Sequence, residues 1–383
     1  MDTFRVCANI DLDAFWHNIS EIRSNISTDT MIMGVVKANG YGHGAAHIAD
    51  ILIKAGSEWL GVASVDEGIE LRNQKIITPI LVLGFTPWEQ YRELITYKIT
   101  PTIFSYEMAE EINRVAGEHS AVLDVHIKID TGMGRIGFKC EEAIEHLLRI
   151  KALGNLNIQG IFTHFACSDA LDKTSAHLQL SKFQQVISEL KEEGIDIPIK
   201  HCSNSGAIID MPEANMDMVR PGISLYGLYP SEEVNHQKIH LKPVMEIKSH
   251  IIFIKEVAKG SGIGYGLTFI TKRRTRVATI PVGYGDGYPR SLSNKGSVLV
   301  RGHLVPIIGR VCMDQFMVDI TDFDDVLLGD EVTLIGCDGD ERISVEEAAN
   351  MAGSFNYEFI CDVGRRVPRV YYKDQKKIDT IHI

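Results

Sequence analysis

Short apolar runs alternate with amphipathic stretches over roughly the first 240 residues, and the runs end near Val36, Val62, Leu83, Ile103, Ile129, Thr163, Cys202 and Val219. Between them the spacing predicts helices over 43–54, 105–115, 140–150 and 174–192. In the last of these, Leu178, Leu180, Phe183, Val186, Ile187 and Leu190 recur with Lys, Gln and Glu between them. Eight strands separated by helices predict an α/β fold, an eight-stranded β/α (TIM-type) barrel. A doubly wound sheet is the alternative that the same pattern leaves open.

Beyond about residue 240 the texture changes. The stretches 244–257, 276–282, 297–300 and 331–335 are β-rich, with turns at Lys259-Gly260-Ser261-Gly262 and Asp338-Gly339-Asp340. The expected organisation is a barrel domain over 1–240 and a mostly β domain over 241–383. Residues 1–10 read as a strand that is a candidate to pair with the second domain.

Composition narrows the function. A chain of 383 residues is long for one core. Hydrophobic residues at 45% and charged residues at 23% leave little room for extended disorder. A formal net charge of −12 argues against a nucleic-acid partner or an anionic membrane, both of which demand clustered Lys and Arg. The dense basic run, Lys272-Arg273-Arg274-Thr275-Arg276, reads as a solvated turn. Seven scattered cysteines, without a CxxC pair, read as reduced thiols in the cytoplasm and offer no metal site. The opening MDTFRVCANIDLDAFWHNI carries acidic residues and no long apolar stretch, so no secretory leader is expected. No window reaches the length of apolar sequence that a membrane-spanning helix needs.

In a β/α barrel, chemistry gathers where strands end and loops begin. Lys37 follows the first apolar run, in VVKANGYGHG. Lys128 and Arg135 belong to the fifth, in KIDTGMGRIGF. His164 follows the sixth, Asn204-Ser205-Gly206 the seventh, and Arg220-Pro221-Gly222-Ile223 the eighth. Polar groups from five strands therefore converge on one mouth. Lys37 is either a strand-end lysine reaching for water or a desolvated amine fit to form a Schiff base. Ser205 and Gly206 open a short helix whose free N–H groups, like the Gly222-Ile223 backbone, suit an anion as well as a helix cap.

These motifs, with FTHFACSD, HCSNSG, MVRPGISLYG, IGYGLTF, VGYGDGYPR, GRVCMDQFMVD and NYEFICDVGRRVPRVY, run in order over both halves of the chain. Together they resemble the alanine racemase family, fold-type III pyridoxal-phosphate enzymes. Decarboxylases of the same fold type share the barrel, but the GRVCMDQ and RVPR elements point to racemases.

The resemblance implies pyridoxal 5'-phosphate as cofactor, carried on Lys37, which also acts as base on one face of the substrate. It implies Tyr265 as the base of the opposite face, supplied by the partner subunit of a homodimer with shared active sites. Arg220 matches the arginine that donates to the pyridine nitrogen, and His164 the histidine linking it to the tyrosine. Tyr41, Ser205, Gly222, Ile223 and Tyr357 match the phosphate shell. Arg135 matches an arginine beside the substrate carboxylate, and Met313 a residue whose backbone N–H meets that carboxylate from the partner chain. Lys128 matches a lysine carbamylated in some members, and Asp314 is a supporting residue of the Met313 motif. Without the resemblance, Tyr265 reads as a packed aromatic between glycines and His164 as a structural histidine.

The chemistry fits these groups. Racemisation takes a Cα proton from one face and returns one to the other, which two opposed bases do most simply. Lysine and tyrosine ordinarily titrate near ~10.4 and ~10, so both must be tuned by burial or neighbouring charge. Tyr357 is retained where a smaller residue accompanies serine activity, which favours L- and D-alanine as the small amino-acid substrate and a role in supplying D-alanine for peptidoglycan. Phe355 departs from the isoleucine often found there and narrows access. Asp169, Arg290 and Arg310 are candidates for the same mouth. The alternatives are a serine or broader-specificity racemase, a basic amino-acid decarboxylase and, from another class, a non-catalytic pyridoxal-phosphate carrier.

Overall fold

A computed structural model describes residues 4–382. The chain forms two compact units. One holds the described residues up to Ala14, Tyr41–Gly44 and those from Pro243 on; the other holds Phe15–Gly40 and Ala45–Lys242.

Strand β1 (Val6–Asp11) precedes the barrel strands β2 (Met31–Val35), β3 (Trp59–Val62), β4 (Ile80–Val82), β5 (Thr102–Ile103), β6 (Leu123–Asp130), a two-residue β7 (Phe138–Lys139), β8 (Leu156–Phe162), β9 (Ile199–His201) and β10 (Met218–Val219). Two parallel sheets, β10-β2-β3-β4 and β5-β6-β8-β9, make up the second unit, with β7 beside β6. Backbone bonds join their edges. A parallel bridge links Leu81 and Thr100 on one side, and Asp217 N–H donates to the Lys200 carbonyl on the other. Eight strands among the described residues thus close into a barrel.

Its interior is filled by Met33, Trp59, Leu81, Phe162, Ile199 and Met218, one from each of six strands. Helices Val65–Asn73 and Tyr106–Glu118 begin on Ser64 and Ser105, whose hydroxyls accept the Glu67 and Met108 N–H. The predicted helix over 43–54 starts later, at Ala45, because residues 38–41 all take left-handed φ.

The other unit is an eleven-stranded sheet with two small helices, Val345–Ala352 and Asn356–Cys361. Its later strands are β11 (Met245–His250), β12 (Phe253–Val257), β13 (Gly262–Ile263), β14 (Phe269–Ile270), β15 (Thr275–Ile280), β16 (Ser297–Val300), β17 (His303–Ile308), β18 (Phe316–Asp319), β19 (Glu331–Asp338), β20 (Glu341–Ile343), β21 (Arg369–Lys373) and β22 (Lys376–Ile381). Strand β1 pairs antiparallel with β11 and parallel with β21. The β13-β14 hairpin is separate and packs Ile263 and Phe269 against Val277, Ile308 and Met317. No helix among the described residues is long and apolar enough to cross a membrane.

Candidate active site

Lys37 leaves the end of β2 half-buried, and the backbone after it turns in an unusual way. Ala38, Asn39, Gly40 and Tyr41 have φ of 52°, 52°, 63° and 49°. For L-residues each left-handed position costs about 1–2 kcal/mol. Neighbours hold this turn in place. Glu67 accepts the Ala38 N–H on one carboxylate oxygen and the Ala63 N–H on the other, both at 2.7 Å. Asn39 Oδ1 accepts the Ala45 N–H at 2.9 Å. In the β-rich unit, Arg369 Nε donates to the Gly42 carbonyl at 2.8 Å and the Tyr371 hydroxyl to that of His43 at 2.9 Å. The RVPRVY motif therefore holds the Tyr41–Gly44 segment, with Tyr41 and Tyr357 rings 6.3 Å apart.

Arg220, just past β10, is fully buried. Nη1 donates to His201 Nδ1 at 2.9 Å; Nη2 faces the Thr163 and Cys202 carbonyls at 2.8 and 3.0 Å and His164 Nδ1 at 3.3 Å. None of these bonds uses Nε. Burial lowers the guanidinium to about 10, which leaves it cationic at neutral pH. His164 sits well below the ordinary histidine range, first through burial and then through Arg220, Lys128, Arg135 and Lys37. It is neutral, with Nδ1 as acceptor and the proton on Nε2.

Lys128 lies within β6, buried, its ammonium donating to the Ile129 carbonyl at 3.0 Å and 5.4 Å from the Phe162 ring centre. Burial lowers it to about 7, helped by Arg220 and then Arg135, against the opposing pull of Asp130. Arg135 is exposed in the loop after β6, which Asp130 organises by accepting the Gly132 and Gly134 N–H groups.

Ser205 opens the helix Ser205–Asp210, whose cap is Asn204 rather than Ser205. Ser205 Oγ accepts the Gly222 N–H at 3.0 Å, while the N–H groups of Ser205, Gly206 and Ile223 have no hydrogen-bond partner among the described residues. A buried donor-only cation and a cluster of unpaired backbone N–H groups suit a ligand with a ring nitrogen at one end and a phosphate at the other. The donor set thus fits pyridoxal phosphate.

Tyr265 and Met313 lie in the β-rich unit. Tyr265 is 71% exposed and begins a short 3-10 turn after Gly264, whose φ of 69° and ψ of −171° suit glycine alone. Burial raises the Cys312 thiol above its ordinary value, and the Tyr265 backbone N–H opposes that shift. Met313 is exposed, and its N–H makes no hydrogen bond among the described residues. Asp314 pairs with Arg366 at 2.8 Å. Phe355 is exposed, its ring 5.5 Å from that of Tyr357.

Sequence reading missed His201 and His126, which stand behind Arg220, and the Thr163 carbonyl that accepts from it. It also passed over Glu67, Asp286 and Arg366. The HCSNSG motif contained His201, but nothing in its spacing said that the ring turns inward.

Residues 10–230 match the family described as alanine racemase, N-terminal domain, and 244–371 that described as alanine racemase, C-terminal domain. The alanine racemase of Halothermothrix orenii is 48% identical over 95% of this chain and 96% of its own. The alanine racemase structure of Clostridium difficile 630 superposes with a TM-score of 0.95 at 41% identity, covering 100% of this chain and 99% of that one. That of Bartonella henselae, with covalently bound pyridoxal phosphate, gives 0.86 at 30% identity over 96% and 99%. Matched along both halves, and by a relative of nearly equal length, the chain belongs to the alanine racemase family.

Proposed function

We propose that this protein interconverts L- and D-alanine with pyridoxal phosphate, using Lys37 and the partner subunit's Tyr265 as opposed bases. The observation that carries the reading is the seat of Arg220: a buried cation held by His201, two carbonyls and His164, with Nε left for an outside acceptor. When bound, pyridoxal phosphate supplies an electron sink for the pair released at Cα.

The protein's own groups do the rest. Arg220 donates to the pyridine nitrogen and keeps it without a proton, since a guanidinium does not give one up. Ser205, Gly222 and Ile223, with Tyr41 and Tyr357, hold the phosphate. Lys37 Nζ takes or returns the Cα proton on one face and the tyrosine hydroxyl does so on the other. Because His164 accepts from Arg220 on Nδ1, its Nε2–H is free to donate to that tyrosine oxygen and favour the phenolate. Arg135 and the N–H of the partner subunit's Met313 receive the substrate carboxylate, and Phe355 beside Tyr357 limits what passes beyond Cβ.

A homodimer is supported by the exposure of Tyr265 in a groove shared with the exposed Ile252 and Phe253. Seven free cysteines support the cytoplasm as compartment, and the D-alanine formed would supply peptidoglycan. The test incubates purified protein and cofactor with L-Ala, L-Ser and L-Arg and scores the D-product by chiral separation. D-alanine as the leading product, without carbon dioxide release, supports the reading. Comparable turnover of arginine would defeat it. Borohydride reduction followed by peptide mapping should place the pyridoxyl label on Lys37, and a label on another lysine would overturn the site.

A further inference from the structure

The VGYGDGYPR motif has no part in the chemistry just described, yet it surrounds a buried acid. The Asp286 carboxylate is 1% exposed. One oxygen pairs with Arg5 Nη2 and, at 2.8 Å, with Arg366 Nε; the other accepts from Arg5 Nη1 at 3.0 Å and the Gly283 N–H at 2.9 Å. Arg366 then reaches outward. Its Nη2 donates to Asp314 at 2.8 Å and to the Met313 carbonyl at 3.2 Å. The motif's backbone grips the same segment, with Tyr284 N–H on the Cys312 carbonyl at 3.0 Å and Gly285 N–H on the Met313 carbonyl at 2.9 Å.

Two glycines make this approach possible. A Cβ on Gly283 would lie 2.2 Å from the Cys312 oxygen, and one on Gly285 2.2 Å from Arg366 Nη2. The Met313 N–H shares its peptide plane with the Cys312 carbonyl that Tyr284 holds, and the next peptide is held twice at the Met313 carbonyl. With both peptides flanking the Met313 Cα pinned, this N–H, without a partner among the described residues, keeps one direction. We infer that Asp286 and Arg366 are positioning residues that fix the Met313 N–H for the substrate carboxylate. The inference rests on the reading of Met313 as a carboxylate contact.

An arginine that spans a carboxylate, a second carboxylate and a carbonyl uses the planar fork that lysine lacks. Charge-assisted bonds of this kind are the strong ones, so their loss should weaken substrate binding by about tenfold or more. The experiment compares wild-type holoenzyme with Arg366→Gln, Arg366→Lys and Gly285→Ala. The last displaces Arg366 without altering charge and covers the case in which Arg366→Gln fails to fold. Two quantities are read: hydrogen exchange, without substrate, of the peptide carrying residues 284 and 285, whose N–H groups hold the Cys312 and Met313 carbonyls, and KM and kcat for alanine.

The expected result is faster exchange at that peptide in Arg366→Gln and Gly285→Ala and a raised KM with kcat changed far less. The cofactor absorption spectrum should stay unaltered, and Arg366→Lys should restore little. Unchanged exchange in Arg366→Gln and Gly285→Ala would overturn the clamp itself. Faster exchange with an unchanged KM would overturn Met313 as the carboxylate contact, and with it the positioning role, while leaving the fold of the clamp intact.

Discussion

Arg220 Nη1 donates to His201 Nδ1 across 2.9 Å, and this bond fixes the protonation of two buried histidines. Arginine can only donate, so Nδ1 of His201 holds a lone pair and Nε2 carries the proton. That nitrogen lies 2.9 Å from Nδ1 of His126, which must accept, leaving the His126 proton on Nε2. Packing locks both rings: His201 stacks on Phe162 at 4.7 Å and 9°, and His126 lies 5.0 Å from Trp59. A protonated His201 would turn a donor toward a cation. The neutral string therefore keeps an acceptor aimed at Arg220.

Acid should destabilise this arrangement. Burial, and in second place Gln159 acting in the opposite sense, set His126 at about 3, and burial with Arg220 holds His201 well below the ordinary value. A histidine kept neutral in the fold binds fewer protons than its unfolded form below about pH 6.5. Stability should then fall as pH drops from there toward the folded pKa, by up to about 1.4 kcal/mol per unit for each group. Above pH 7 these groups add no slope. Ring nitrogen-15 shifts recorded from pH 8 to 5 should show His126 and His201 neutral throughout, each with its proton on Nε2. Titration of either ring near pH 6 would contradict the string.

Lys128 should carry carbon dioxide or neighbour a small anion. An amine lowered to about 7 is substantially neutral at pH 7.5 and can add carbon dioxide, whereas at pH 6 it is mostly ammonium. Arg220 and Arg135 both disfavour that ammonium, and a carbamate would reverse the local charge. Incubation with carbon-13 bicarbonate should give a carbamate signal that grows as pH rises and vanishes in Lys128→Ala. The absence of any signal at pH 8, with no chloride dependence of activity, would count against the prediction.

The left-handed turn after Lys37 should show a stability–activity trade-off. Glycine takes φ of 52° without the penalty that Ala38 bears, so Ala38→Gly should raise stability by up to about 1 kcal/mol. The freer turn should place Lys37 less well and lower kcat several-fold with little change in KM. Glu67→Gln should also lower kcat, since an amide supplies one acceptor oxygen where the carboxylate supplies two to Ala38 and Ala63. Denaturant melts and steady-state kinetics on the same preparations decide it. A less stable Ala38→Gly variant would show that the turn stores no strain.

Periodicity made the barrel legible because each strand is an apolar run and each helix carries a face. The helix Thr174–Glu192 has the predicted bounds for that reason. It could not show that residues 38–41 coil left-handed, since Asn39-Gly40 signals a turn but Ala38 and Tyr41 have no preference for positive φ. Lys37, Arg220 and Ser205 stood out because strand ends in a barrel face one mouth. His126 did not, because a histidine inside an apolar strand looks like any packed ring. Only the fold reveals that Gly160 on the adjoining strand leaves room for it, a Cβ there falling 2.4 Å from the ring. Asp286 was hidden likewise: its partners Arg5 and Arg366 lie at opposite ends of the sequence.

Mixing two inactive variants should restore activity if the bases come from different chains. Lys37 follows the barrel strand β2, while Tyr265 stands 71% exposed on the β-rich unit. In a two-fold dimer that exchanges tyrosines, each site takes its lysine from one chain and its tyrosine from the other, and symmetry repeats the arrangement. Lys37→Ala and Tyr265→Ala homodimers are then dead at both sites. A mixed dimer concentrates both lesions in one site and leaves the other whole. Random exchange makes about half the dimers mixed, so activity should recover to about a quarter of wild type. If both bases came from one chain, every site would retain a lesion and the mixture would stay inactive. Subunit exchange is verified separately by mass labelling, and inactivity despite complete exchange would reject the shared site without touching the assignment of Lys37 to the cofactor.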